Sequence, residues 1–570
     1  MPMPRRLGDP DPTGSRAVPA CARHASPCVE HLACARDRSP PLARFAGGCE
    51  WKELSMNEAV STTAYFADFL GPGGLDRASA RELLGRVVDI GLAFKYRRRF
   101  MSTRDNDALD AIATEPLPET ACDLPVLLTD LESRYLPTMP NFASPMFAGF
   151  PDAGNNLAAV AGAILGELID VNLINADFCS RGATEMEIAL IRWLRELAGF
   201  EVAAAPPTTA LEVGGIPTTG GTSANFAAVL MARERAYPGS RADGLPAGVQ
   251  PVIVLPDGIG HYTIAAAAAW AGLGNTATVL HPVRDFRYDL DELDRHLRAA
   301  RAANEHVIMA VCYAGDSRTM TIENLTGFAE VVRSHYPDAW LHCDGCHGTS
   351  LLFSSRLRQR LDGLSVYDSV MLDPHKVLSV PYTSSFLLLR TPGDAALLAT
   401  ESELILRHAR SFGQITPATG SRSFQSLRTW MLIKALGVDG VGRMIESRIG
   451  TAHRFAQLVD EHRDFVRLND VSINSVAFTV IPPGTTLPFD IETAQQSAAL
   501  TTVAYERMLA DGAIYLHSFE LPDSENRLGL GRGYRHPVLR FMSGNSLIND
   551  DDLTNLLDTA ADYFIERRAE

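Results

Sequence analysis

Lysine is nearly absent. Only Lys52, Lys95, Lys376 and Lys434 occur, against a combined Lys and Arg count of 52 in 570 residues. Chemistry that needs an amine side chain is therefore confined to four positions. Long apolar runs are missing as well. No stretch reaches 18 consecutive apolar residues, and the alanine run at 265–269 lies inside a helical pattern, so no membrane span is expected. Cysteine is scarce and odd in number, nine in all, and no secretory leader is recognisable. Free thiols in a reducing cytoplasm are expected, not a disulfide framework. An excess of positive charge is also lacking. The formal net charge of −16 repels phosphate backbones and argues against broad nucleic-acid binding.

What is present is ordinary globular composition, 46% hydrophobic and 21% charged, in a chain long enough for two or more domains. Residues 1–55 stand apart. They hold many Pro and Arg, four of the nine cysteines and no periodic apolar pattern, and a disordered extension is expected. A targeting segment is the competing reading, but Asp9, Asp11, Glu30 and Asp37 break its basic character. Residues 56–135 are predicted as a helical segment, with Leu83, Leu84, Val87, Val88, Ile90 and Leu92 at helical spacing. From 136 to 395 helices alternate with short apolar strands. Predicted helices are Leu157–Leu168, Thr184–Leu197, Asn225–Ala236 and Ile264–Ala271. Predicted strands are Val252–Leu255, Thr278–Leu280, Val307–Tyr313, Ala339–Cys343, Ser369–Leu372 and Ser385–Leu389. That alternation predicts an α/β fold with a mostly parallel sheet covered on both faces. Residues 396–450 predict a loop and a connecting helix near Ser426–Leu436. Residues 451–570 predict a small α+β domain with strands at Val476–Ile481 and Val538–Phe541.

The four lysines differ in setting. Lys52 lies in the extension, Lys95 in the basic cluster KYRRRF, and Lys434 on a helix where a surface lysine is the ordinary role. Lys376 follows the apolar strand of SVMLDPHK and precedes VLSVPY. A lysine at the mouth of a buried strand suits Schiff-base chemistry, because burial favours its neutral amine; a surface loop is the alternative. Asp344 ends the run WLHC, and a carboxylate at the carboxyl end of a parallel strand faces the crevice where α/β folds bind ligands. Its bland reading is a turn or cap residue. VGGIPTTGGTSANF opens a helix behind glycines and hydroxyls, either a phosphate cradle or a capped loop; without a following GK[ST] it is no Walker loop. His261 precedes a helix and could stack on a planar ligand or simply cap. Cys343–Asp344–Gly345–Cys346–His347 matches the haem-attachment pattern C-x-x-C-H, but that chemistry needs an exported chain, and Cys343 closes a buried strand.

GGTSAN, HYT, WLHCDG and DSVMLDPHK, in this order, resemble the group II pyridoxal-phosphate-dependent amino-acid decarboxylases, across roughly residues 135–560. FPDAGNN, the helix ATEMEIALIRWLRELAGF, SRSFQSLRTWMLIKALGVDG and VLRFMSGN resemble family landmarks as well. The resemblance implies fold type I, with a large domain built on a seven-stranded, mostly parallel sheet and a small C-terminal α+β domain. It implies pyridoxal 5′-phosphate as cofactor, an amino-acid substrate and a homodimer. It implies that Lys376 carries the cofactor as a Schiff base, Asp344 pairs with its ring nitrogen and His261 stacks on the ring. Thr222, Ser223 and Ser369 would contact the phosphate, with His375 beside it and Asn225 opening the helix behind. Phe150 and Pro151 would line the substrate pocket.

Some positions depart from the family pattern. Cys346 stands where alanine is common, Val377 where tryptophan is usual, and Gly315–Asp316–Ser317 where a GTT turn is common. No tyrosine occurs in LATESELILRHARSFGQITPATGSR, leaving His408 as the titratable candidate for the protonation step. The expected reaction is decarboxylation to a primary amine and CO2. Carbon–carbon lysis, decarboxylation-dependent oxidation and transamination remain open. A neutral apolar substrate side chain, branched aliphatic or aromatic, is expected from the Phe150–Pro151 wall, with Arg181 and Asp152 as the charged residues that could argue otherwise.

Overall fold

The computed structural model describes residues 69–101, 106–151, 154–400, 402–403, 409–417 and 419–565, together with the pair Arg5–Arg6. The rest of the 1–55 extension, Asp152 and His408 lie outside the described residues.

The short apolar runs assemble into one sheet. Its strands are β1 (Gly215–Thr218), β2 (Pro251–Pro256), β3 (Thr278–His281), β4 (His306–Tyr313), β5 (Trp340–Asp344), β6 (Ser369–Leu372) and β7 (Ser385–Leu389). Across the sheet the order is β3-β2-β4-β5-β6-β7-β1, and Arg5–Arg6 pairs parallel along the outer edge of β3. Every neighbouring pair runs parallel except those made by β7, which is antiparallel to both β6 and β1. Every residue of β2, β5, β6 and β7 is buried, as two-sided coverage requires. β1 is the strand the sequence hides. It lies inside VGGIPTTGG and includes Pro217, which a sheet tolerates only at an edge.

The helices are α1 (Arg77–Lys95), α2 (Asn106–Ala113), α3 (Leu124–Asp130), α4 (Leu157–Ile169), α5 (Gly182–Leu197), α6 (Gly221–Ala236), α7 (Thr263–Trp270), α8 (Leu290–Ala302), α9 (Leu325–His335), α10 (Ser426–Glu461), α11 (Ile491–Asp511) and α12 (Asp550–Ile565). Most of α1 belongs to a separate unit, Gly8–Gly91, and its apolar positions Leu84, Val87 and Val88 are exposed. α6 starts four residues earlier than predicted. Gly220, at φ +143°, makes the tight turn out of β1 that only glycine adopts freely. α10 runs past the predicted stop at Leu436. Gly437 (φ 64°, ψ 172°) breaks the helical dihedrals there and joins two helical halves across a kink.

A second sheet holds β8 (Phe465–Arg467), β9 (Ser475–Val480), β10 (His517–Pro522) and β11 (Arg535–Met542) in the order β8-β9-β11-β10, all antiparallel. It has its own core, where Phe455 and Phe541 stack at 4.0 Å beside Phe478. The stretch before Phe150 docks on this sheet: Tyr515 N–H donates to Met146 O at 2.8 Å, and Ala148 N–H donates to Tyr515 O at 2.9 Å. Among the described residues no helix is long and apolar enough to cross a membrane.

Candidate active site

β6 ends at Leu372, and Pro374 opens a single helical turn, Pro374–Val377, with its φ already set for that role. Lys376 thereby emerges at the carboxyl end of the sheet. Its Nζ lies 3.0 Å from Asp373 Oδ2, and its side chain keeps 21% of its surface exposed. Asp373 is fully buried, and Ser385 Oγ–H donates to its Oδ1 at 2.5 Å. A Cβ on Gly221 would lie 2.7 Å from Asp373 Oδ2, so glycine brings the start of α6 against the lysine's carboxylate. The chain after Lys376 is gripped from α10. The buried Arg448 donates to Val377 O and Ser379 Oγ, and its Nε donates to Ser546 Oγ at 3.0 Å.

Asp344 ends β5 beside Met371 of β6 and is 2% exposed. Asn225 Nδ2–H donates to its Oδ2 at 3.0 Å, and Cys346 N–H donates to its Oδ1 at 3.3 Å. Among the described residues no cation forms an ion pair with it. A buried carboxylate without a cation is costly, so the site calls for one. The Cys346 thiol hydrogen-bonds the lysine amine, and burial pushes its pKa well up. His261 is held through Thr263 Oγ1, 3.0 Å from its Nδ1, while its backbone N–H donates to Tyr313 OH at 3.0 Å. Burial lowers its pKa, opposed by the nearby charge of Asp344 and reinforced by Lys376.

The remaining expectations divide. Thr222 and Ser223 occupy the first turn of α6, the end of a helix that attracts anions; Ser223 N–H and Oγ–H both donate back to Gly220 O, at 3.0 and 2.8 Å. His375 is buried beside Lys376, its Nδ1–H donating to Ser384 O at 2.7 Å. Ser369 is a correction. It sits at the opposite end of β6 from the lysine. Its buried hydroxyl is engaged by Trp340 Nε1 at 2.7 Å and His342 Nδ1 at 2.8 Å, so it does not reach the phosphate side. Phe150 is 38% exposed and Pro151 buried, next to Gly149. Arg181 is exposed at the start of α5.

Arg540 of β11 escaped the sequence reading. It is 4% exposed; its Nη1 donates to Ser317 O at 2.8 Å, its Nη2 to Gly149 O at 3.3 Å, and its Nε meets no partner among the described residues. Burial lowers its pKa to about 10, and no described carboxylate forms an ion pair with it. His347 lies in the field of both Lys376 and Arg540, with Nδ1 unpartnered among the described residues; burial drives its pKa well down. Asp373, Arg448 and His347 were also missed. DPHK offered a signal for Asp373, three residues before the lysine on a turn. Arg540 offered only an arginine between apolar strand residues.

A buried carboxylate paired with no cation among the described residues, a lysine amine at the same end of the sheet and a glycine-started helix suit a phosphorylated pyridine aldehyde. Set at the carboxyl ends of this sheet, they define a pyridoxal-phosphate enzyme of fold type I. The family model described as the pyridoxal-dependent decarboxylase conserved domain matches residues 108–481. The chain belongs to that family of carboxy-lyases, and its cofactor is pyridoxal phosphate. L-2,4-diaminobutyrate decarboxylase of Acinetobacter baumannii is 28% identical over 333 residues, covering 55% of this chain and 63% of that protein. Aromatic-L-amino-acid decarboxylase of Bacillus atrophaeus is 24% identical over 388 residues, covering 67% and 76%. Of solved structures, mouse CSAD superposes with a TM-score of 0.76 at 21% identity, covering 86% of this chain and 99% of that one. Oryza sativa TDC with PLP and tryptamine gives 0.75 at 21% identity, covering 88% and 100%. At these identities the structures speak for the fold alone.

Proposed function

We propose that the protein decarboxylates an L-amino acid with a neutral apolar side chain to the primary amine and CO2. The observation that carries this reading is the buried Asp344, paired with no cation among the described residues, at the same end of the sheet as Lys376. Once bound, the cofactor supplies a protonated ring that draws in the electron pair of the breaking carbon–carbon bond. Lys376 would hold the aldehyde carbon, and Asp344 would keep the ring nitrogen protonated. His261 would flank the ring. Thr222, Ser223 and the first-turn amides of α6 would hold the phosphate. Arg540, a buried cation without a carboxylate partner among the described residues, would orient the substrate's carboxylate. Phe150 and Pro151 would border the side chain, next to the stacked rings of Phe142, Phe147 and Tyr515, and this apolar wall favours a neutral substrate. The named relatives act on diaminobutyrate, aromatic amino acids, aspartate or cysteine sulfinate, so kinship alone leaves the side chain open.

We read the assembly as a homodimer. Ile164, Leu165, Leu168 and Ile169 of α4 are each about half exposed, an apolar face suited to burial against a second copy. The deciding experiment incubates the purified holoenzyme with each amino acid and identifies products. CO2 with a primary amine, greatest for branched aliphatic or aromatic substrates, is expected. A keto acid or aldehyde without amine would overturn decarboxylation to the amine, and preference for a charged side chain would overturn the substrate class.

A further inference from the structure

Behind Asp344 lies a buried hydrogen-bond chain whose direction can be worked out from its two ends. At one end, Asn225 Nδ2–H2 faces Asp344 and donates to its Oδ2. The other face of that amide is then Oδ1, an acceptor, 2.9 Å from His342 Nε2. His342 must therefore carry its proton on Nε2. Burial lowers its pKa to about 4, so the ring is neutral and its Nδ1 accepts. At the other end, indole N–H only donates, and Trp340 Nε1 gives its proton to Ser369 Oγ at 2.7 Å. Ser369 is then free to donate to His342 Nδ1, 2.8 Å away. The two ends agree on one arrangement.

A branch leaves from Asn225. Its Nδ2 also donates to Thr263 Oγ1 at 2.8 Å, and Thr263 Oγ1 lies 3.0 Å from His261 Nδ1. A hydroxyl has one proton and two acceptor sites, so Thr263 Oγ1 holds the His261 ring whichever of the ring nitrogens carries the proton. Asn225, His342, Ser369 and Trp340 are all buried, so water does not compete for these groups.

We propose that Trp340, Ser369, His342 and Asn225 form a one-directional hydrogen-bond chain that presents the Asp344 carboxylate to the cofactor's ring nitrogen and, through Thr263, holds the His261 ring. These are positioning residues, acting through Asp344 and His261. The proposal rests on the reading that Asp344 meets the cofactor's ring nitrogen.

Two measurements test it. The first compares the affinity of the full-length apo-protein for pyridoxal phosphate and for an analogue with CH in place of the ring nitrogen. Unsubstituted protein is expected to favour pyridoxal phosphate. Ser369→Ala and Trp340→Phe should shrink that preference roughly three- to tenfold, the worth of one hydrogen bond, and Ser369→Thr, which keeps the hydroxyl, should restore it. General destabilisation would weaken both ligands alike and leave the ratio unchanged; an unchanged ratio in both variants overturns the chain's role. If unsubstituted protein shows no preference, the ring-nitrogen reading of Asp344 fails instead. The second measurement needs no variant. Neutron diffraction of the deuterium-exchanged protein should find deuterium on Nε2 and none on Nδ1 of His342. Deuterium on that Nδ1 overturns the direction assigned here.

Discussion

Arg540 carries a buried positive charge with carbonyls on one side and no carboxylate among the described residues. Charge-assisted hydrogen bonds are worth about 1.5–3 kcal/mol, roughly ten- to a hundredfold in binding. Arg540→Gln should therefore raise KM by about that factor while the cofactor's visible absorbance is kept. Steady-state kinetics and a spectrum check both; an unchanged KM would remove Arg540 from substrate binding. Lys376→Ala should abolish turnover and the Schiff-base absorbance together, and an unchanged spectrum would point to another lysine. The contrast shows what a sequence can disclose about single residues. Lys376 stands out because only four lysines exist and the other three occupy ordinary settings. Lys95 hydrogen-bonds Asn155 at 2.8 Å, and Lys434 lies over the Trp430 ring. Arg540 is lost among many arginines. Only the approach of β11 to Gly149 and Ser317 distinguishes it, and that contact joins distant parts of the chain.

At the scale of elements, the turn between β1 and α6 sets the mouth of the cleft. A Cβ on Gly220 would meet no atom within 4 Å, yet φ is +143°. Gly220→Ala should thus cost about 1 kcal/mol or more through backbone strain alone. A lower Tm with weakened cofactor affinity is expected, measured on the same preparation; an unaltered cofactor Kd would detach this turn from the phosphate. Arg448→Met should loosen the Val377–Ser379 stretch and lower cofactor affinity, read by equilibrium dialysis. The buried strands of the parallel sheet were legible as apolar runs, and Ser369–Leu372 and Ser385–Leu389 match to the residue. β1 and β10 were not. Edge position lets β1 carry Pro217 and dispense with a long apolar run. β10, HSFELP, is largely half-buried, so burial imposes little pattern on it. The resemblance also put the Ser369 hydroxyl on the phosphate side, although Ser369 opens its strand and the lysine follows the strand's carboxyl end.

For the whole molecule, burial leaves several histidines neutral. His342, His517 and His536 are lowered to about 4 and His281 to about 3, from an ordinary 6.5. Unfolded, they bind protons once pH falls below about 6.5, so the unfolded state gains protons and stability drops. Glu323, raised to about 7 by burial, acts in the opposite sense, losing stability as pH rises from about 4.5 towards 7. Four groups against one predict a Tm that declines as pH falls from 6.5 to 4, measurable by calorimetry; a flat Tm over that window would contradict it. The chain from Trp340 to Asp344 has a thermal consequence too. The floor of the cleft takes shape together with the strands that form it. Loading the vitamin-derived group should therefore be accompanied by only a small change in heat capacity, because little surface is left to dry and little backbone to freeze.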